Sequence, residues 1–523
     1  MHQSRTVVLW MICFAVVEIG GCNGNGSSTT SANESRARGT LIYNPPLRIA
    51  HLSAVDFESE LNASADGQSL LTLTGTPQCG IDFHYIEYAT VGAKGESTTA
   101  TGALMVPNGS AAPCGGPRPI VLYAHGTTAE KSYNIADIVD TDNAGNAESA
   151  LVAAMFAAQG YIVVAPNYAG YDASPLPYHP YLNADQQSKD MIDALTAARA
   201  ALGGIPASGT TDDGRLFITG YSEGGFVAMA TQRALQDLGR TVTATAPMSG
   251  PYALEAMGDA VITGSVNLGS TLFIPLLINS YQNAYSNVYS TLTEVYSASY
   301  ASGIDSLLPG LPYAALVANG SLPQLALFSD VTPSTGDAAL DAVLAIPANP
   351  LFASGFGDPY LIDNSVRIAY AVDAAINPDG FVPTPASGAP VAGASSYGLR
   401  EDLRVNDMRY DDTFSPAAPT LLCGGSEDPS VYFLNAQAMQ AFWASFSLPA
   451  GLLTVLDLET GLGAGDPYAA VEAGFAALKA QTAADAVAAG ATDGGAAAVA
   501  EHYHGGLVPP FCTAAARGFF ANF

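Results

Sequence analysis

From Pro119 onward, short and fully apolar runs alternate with helix-like stretches, and no other feature constrains the fold of this chain as much. The runs are Ile120–Ala124, Tyr161–Ala165, Leu216–Thr219, Val242–Ala246, Pro419–Cys423 and Leu452–Leu458. Between them, Ala147–Gln159, Asp185–Leu202, Gly225–Leu238 and Phe433–Phe446 read as helices. A strand that is apolar on both faces must be covered on both, which predicts a mostly parallel central sheet flanked by crossover helices. Residues 70–106 instead alternate apolar and polar positions, as antiparallel strands do: Leu70-Leu71-Thr72-Leu73, Tyr85-Ile86-Glu87-Tyr88 and Gly102-Ala103-Leu104-Met105-Val106. The rhythm fails between about Gly250 and Val405, where a large, mainly helical cap is expected as an insertion. Within it Tyr281, Tyr285, Tyr289, Tyr296 and Tyr300 follow helix-like spacing, the pattern of a stripe that packs cap against body. A second, Ala- and Gly-rich insertion over about 461–500 also reads as helical.

The N-terminus reads as an export segment. Arg5 precedes an apolar run, Val7 to Val17, which is too short to span a bilayer, and Ile19-Gly20-Gly21-Cys22 closes it. Small residues leading into a cysteine resemble the lipobox of bacterial lipoproteins, although Glu18 departs from it. The resemblance implies a signal over 1–22, lipid on Cys22 and a Gly/Ser/Thr/Asn-rich tether over 23–45. Ordinary secretion with a free Cys22 is the alternative. The expected place is therefore outside the cytoplasm, either lipid-anchored in a bacterial cell envelope or secreted. Acidic residues outnumber basic ones 47 to 18, for a formal charge of −29. That charge repels phosphate backbones and anionic headgroups, so nucleic-acid partners are excluded and membrane contact is expected only through the anchor.

Gly220-Tyr221-Ser222-Glu223-Gly224 is the one G-x-S-x-G in the sequence. The strand Leu216-Phe217-Ile218-Thr219 precedes it and a helix begins near Gly225. A serine on so tight a strand-to-helix turn needs small neighbours, and the turn lifts its hydroxyl clear of the sheet. The hydroxyl becomes a competent nucleophile only when an imidazole takes its proton and a carboxylate orients that imidazole.

These residues resemble the α/β-hydrolases, in particular their secretory lipase branch. Further matching pieces are His125-Gly126-Thr127-Thr128, Ala165-Pro166-Asn167-Tyr168-Ala169-Gly170-Tyr171, His179-Pro180-Tyr181-Leu182 and His504-Gly505-Gly506. Together they cover roughly 70–250 and 405–523. Asn167 stands where relatives more often carry Asp. The resemblance implies a body in two parts, 46–250 and 406–523, separated by the cap over 251–405, and an enzyme acting on acyl esters. It also implies the chain order nucleophile, acid, base. Of seven histidines only His502 and His504 follow Ser222. His504 is chosen as base, because Gly505-Gly506 would leave a loop histidine free to approach the serine, with His502 as its neighbour. Asp428, in the turn after the strand Pro419–Cys423, is the expected acid and Glu427 the fallback. Oxyanion donors are expected from the backbone N–H groups of Glu223 and Thr127, which leaves His125 to shape its loop.

Cys79, Cys114, Cys423 and Cys512 remain beyond the signal, an even number that suits two disulfides in an exported protein. Three pairings are open. Cys79–Cys114 and Cys423–Cys512 are the expected ones, since the latter would pin the acid and base segments together. Asp140-Thr141-Asp142 with Gly145 fails the calcium-loop pattern, and no metal or cofactor motif is present, so no metal and no cofactor are expected. The leading expectation is a serine hydrolase of small-molecule or lipid esters. One rival is a serine peptidase resembling the prolyl oligopeptidase group. The other is a surface protein using a hydrolase scaffold for binding without catalysis.

Overall fold

The computed structural model describes residues 36–205, 209–377, 396–410, 414–463 and 465–523. The expected signal, Cys22 and the tether as far as residue 35 lie outside the described residues.

Eleven strands occur among the described residues: β1 (Leu47–Leu52), β2 (Gly80–Val91), β3 (Ser97–Asn108), β4 (Gly116–Ala124), β5 (Ile162–Pro166), β6 (Thr210–Tyr221), β7 (Ala244–Met248), β8 (Phe328–Ser329), β9 (Phe356–Gly357), β10 (Thr420–Gly424) and β11 (Leu453–Asp457). Nine of them form one sheet in the order β1-β2-β3-β5-β4-β6-β7-β10-β11. From β1 to β5 the pairings are antiparallel, and from β5 across to β11 they are parallel. The division follows the sequence pattern. β2 and β3 join through a short turn in which Gly95 takes φ +78°, and their register is unbroken from Gly80↔Asn108 to Val91↔Ser97. The parallel strands β5, β7 and β10 are buried at every position, because helices cover both faces.

One expected strand is a helix. Leu70–Leu73 lies in Ala65–Thr74, whose N-cap Ser64 accepts the Gly67 N–H. A short Leu/Thr run satisfies both periods, and the cap with a half-buried face decides for the helix.

Between β7 and β10 the chain builds the expected insertion. Its principal helices are Leu254–Ile262, Ser270–Tyr285, Asn364–Ile376 and Gly398–Asn406, with β8 and β9 as a two-residue parallel pair. The tyrosine stripe is shorter than its spacing predicts. The helix stops at Tyr285, where Ser286 turns left-handed (φ 60°), so Tyr289, Tyr296 and Tyr300 follow in non-helical chain. Tyr281 and Tyr285 do pack on the body: Tyr281 donates to the Leu182 carbonyl, and the Tyr285 hydroxyl meets Asn183.

Ionic contacts close the base of the insertion. The fully buried Arg400 guanidinium contacts Asp259 at 2.8 Å, Glu255 at 3.0 Å and Asp373 at 3.1 Å, and Arg404 adds a 2.7 Å bond to Glu255. Glu255 and Asp259 stand on the first helix of the insertion and Arg400 and Arg404 on the last, so these pairs join its entry to its exit. Two further helices, Ala469–Ala488 and Ala496–His502, precede the C-terminal segment. Disulfides link Cys79 to Cys114 and Cys423 to Cys512. Two such bonds fit an oxidising, extracytoplasmic setting. Among the described residues no helix is long and apolar enough to cross a membrane.

Candidate active site

The C-terminal ends of β4, β6 and β10 converge on one place. β6 ends at Tyr221, and Ser222 follows with φ 60° and ψ −122° before the helix Glu223–Asp237 begins. That backbone is strained for a residue with a side chain. It persists because its neighbours lock it. The Ser222 N–H donates to the Met248 carbonyl at 2.9 Å. A Cβ on Gly220 would strike the carbonyl oxygens of Gly224 and Ala124, one on Gly224 that of Ala124, and one on Gly225 that of Met248. Glycine is required at all three positions by close backbone approach.

The exposed face of this turn meets His504. Its Nε2 lies 2.7 Å from Ser222 Oγ, and its Nδ1 lies 2.6 Å from Asp428 Oδ2. The other Asp428 oxygen accepts the N–H groups of Ser430 (2.9 Å) and Val431 (3.0 Å), so the carboxylate is held in place with one oxygen left for the imidazole. A carboxylate on Nδ1 keeps the proton there and presents the Nε2 lone pair to the serine. Asp428 is 4% exposed and Ser222 7%. Glu427, the alternative acid, points elsewhere: its carboxylate bonds Lys479 at 2.5 Å.

His504 is not on a loop. It lies in a π-helical turn, Tyr503–Leu507, within a helical run from Ala496 to Phe520. Pro509 and Pro510 account for the turn, because in a regular α-helix their rings would press on the carbonyls four residues back. His502 is exposed on the preceding turn, with Nδ1 on its own helix at the Ala498 carbonyl.

The loop after β4 lies beside the nucleophile. A Cβ on Gly126 would come within 3.8 Å of Ser222 Cβ, and Thr127 follows, with its hydroxyl 3.0 Å from that of Tyr181. Glu148 accepts the Gly126 N–H at 3.2 Å and the hydroxyls of Tyr123 and Tyr133. His125 is fully buried and stacked between Tyr133 and Tyr168, with both ring nitrogens on backbone carbonyls, as a residue that shapes the loop should be. Asn167 also has a physical account. Its Oδ1 accepts the Ile135 N–H and its Nδ2 donates to Thr101 and Asn134, and a carboxylate could not supply those two donations.

Sequence reasoning missed a polar group behind the nucleophile. The Glu223 side chain is fully buried, with His179 Nε2 and Gln187 Nε2 each 2.7 Å from its Oε1. His179 belongs to a matching motif, but no local spacing connects it with Glu223.

The sequence profile of the prolyl oligopeptidase family matches residues 148–266, the stretch that includes the turn carrying Ser222. No match emerges among curated proteins. Among solved structures, the rice cell wall degrading esterase LipA from Xanthomonas oryzae is 26% identical. It covers 82% of this chain and 92% of its own, with a TM-score of 0.62. The chain is an α/β-hydrolase. A putative hydrolase from Legionella pneumophila shares the fold at 21% identity, with 80% of this chain and 91% of its own covered and a TM-score of 0.58. Both comparisons extend well past the stretch matched by the family profile, so the likeness of this hydrolase to the esterase spans most of its length.

Proposed function

We propose that this hydrolase cleaves carboxylic esters of small molecules or lipids through Ser222, His504 and Asp428. The observation that carries the reading is the hydrogen-bonded line from Ser222 Oγ through His504 to Asp428, set on a strained turn. Ser222 Oγ attacks the ester carbonyl carbon while His504 Nε2 takes its proton, and Asp428 balances the imidazolium. The carbonyl electrons become an oxyanion, received by the N–H groups of Glu223, which opens a helix, and of Thr127. As the oxyanion collapses, the C–O bond to the alcohol breaks and His504 returns its proton to the leaving oxygen. Water then attacks the acyl-enzyme, with His504 again as base, and releases the acid and free Ser222. An ester rather than an amide is favoured by the 26% identical protein described as an esterase. The export reading extends here too: Cys22 is proposed as the lipid-bearing residue that anchors the enzyme.

The family profile at 148–266 favours a second reading, a serine peptidase with the same three residues. One experiment separates the two. Purified protein is given p-nitrophenyl esters from acetate to palmitate, and aminoacyl and prolyl anilides, with Ser222→Ala alongside. Ester turnover is expected, with kcat on the order of 10⁴–10⁶ lower in Ser222→Ala. Anilide turnover without ester turnover would move the assignment to the peptidase. Silence on both classes from folded protein would end the catalytic reading.

A further inference from the structure

We propose that the Tyr221 hydroxyl is a positioning group for His504, supplying the hydrogen bond that Pro509 withholds from the base-bearing turn. The inference rests on the reading of His504 as the base.

In an α-helix the His504 carbonyl would receive the Val508 N–H. In the π-helical turn that N–H goes instead to the Tyr503 carbonyl. The next donor along the widened ladder belongs to residue 509, which is proline and has none. The helix therefore offers the His504 carbonyl no donor, and a carbonyl turned partly away from water without one is costly. Tyr221 fills the place, with its hydroxyl 2.6 Å from the His504 carbonyl oxygen. The same hydroxyl is 3.4 Å from His504 Nδ1, and the two rings lie 5.1 Å apart. The shorter contact assigns the proton to the carbonyl, leaving Nδ1 to Asp428. Burial first, and then the nearby Asp428 carboxylate, push the Tyr221 phenol well above its usual value, so it remains a donor throughout the working range.

Position gives this bond its consequence. Tyr221 ends β6 directly before Ser222, so the turn that aims the nucleophile also holds the base. The Cys423–Cys512 disulfide ties the same C-terminal segment, but eight residues beyond His504. The hydroxyl acts on His504 itself.

The test uses the full-length protein and the ester assay. Tyr221→Phe is expected to lower kcat about tenfold or more, the scale of a small misplacement of a reacting group, with KM within about twofold. Pro509→Ala in that background restores an N–H at the missing rung and is expected to recover most of kcat. Wild-type kcat in Tyr221→Phe overturns the proposal. So does a slow Tyr221→Phe that the second substitution leaves slow. If Tyr221→Phe does not fold, the double variant decides alone: folded and active supports the inference, folded and slow ends it. Labelling of Ser222 by a fluorophosphonate in the unaltered protein keeps the two readings apart. Without labelling the catalytic reading fails, and this inference with it. With labelling and an unimpaired Tyr221→Phe, only this inference fails.

Discussion

The sheet and the insertion of this hydrolase are held together by different physics. In the sheet, strands buried on both faces exclude water, and around Ser222 backbone meets backbone so closely that Gly220, Gly224 and Gly225 leave no room for a methyl group. In the insertion the first and last helices are joined by buried charge, with Arg400 set among Glu255, Asp259 and Asp373. Close packing is local and stiff, and it suits a site that must fix atoms to fractions of an ångström. A buried ion cluster depends on every partner being present. The two regions should therefore fail in different ways.

The largest effect on turnover is expected from Gly224→Ala. The new methyl group would press on the Ala124 carbonyl, which cannot withdraw without disturbing β4 and the loop carrying Thr127. Ester turnover should fall on the order of 10²-fold, and the whole fold should lose about 1–3 kcal/mol, read as a lower midpoint in a single unfolding transition. Normal turnover in this variant would show that the turn has slack, and the contrast with the insertion would lose its basis.

Arg400→Met comes next. It leaves three carboxylates without their shared cation, at about 3–5 kcal/mol. Hydrogen exchange should show helices Leu254–Ile262 and Gly398–Asn406 losing protection while β4–β7 keep theirs. Equal loss in both regions would mean that body and insertion unfold as one unit.

Replacing Cys423 and Cys512 together by Ser probes the link between β10 and the C-terminal helix, which closes a loop of 89 residues. About 2–4 kcal/mol of stability should be lost. Turnover at low temperature should survive if Tyr221 holds His504 as proposed. A collapse of kcat without unfolding would give the disulfide the positioning role.

The same contrast explains what could be read from the sequence. Parallel strands and their helices show as apolar periods, and Ser222 shows because its turn is encoded in five adjacent residues. Asp428 and His504 are expected as acid and base only through chain order, a property of topology. Their separation of 76 residues carries no local signal. Gly505-Gly506 suggests a loop at His504, whereas Pro509 and Pro510 produce a π-helical turn inside a helix. The ion cluster was not legible at all. Asp259 and Arg400 lie 141 residues apart, and nothing in the residues around either marks it as buried and paired.

Asp402 tests the insertion through pH alone. It stands on the same helix as Arg400, 2% exposed, with Oδ1 accepting from Asn287 at 3.0 Å and Oδ2 buried without a hydrogen-bond partner. Burial, with Glu401 adding repulsion, raises its carboxyl from 3.8 to about 7, although the Asn287 bond pulls the other way. Between about pH 4 and pH 7 the folded protein keeps a proton on Asp402 that the unfolded chain has released. The stabilisation is therefore complete below the unfolded value and is lost as pH rises through the folded one. One proton sets a maximum slope of about 1.4 kcal/mol per pH unit. Exchange protection of Gly398–Asn406 should fall from about pH 4 to about pH 7, with Asp402→Asn removing most of that decline. A decline unchanged by Asp402→Asn would return the pH sensitivity to the ion cluster. A decline shared equally by β4–β7 would erase the distinction between the two regions.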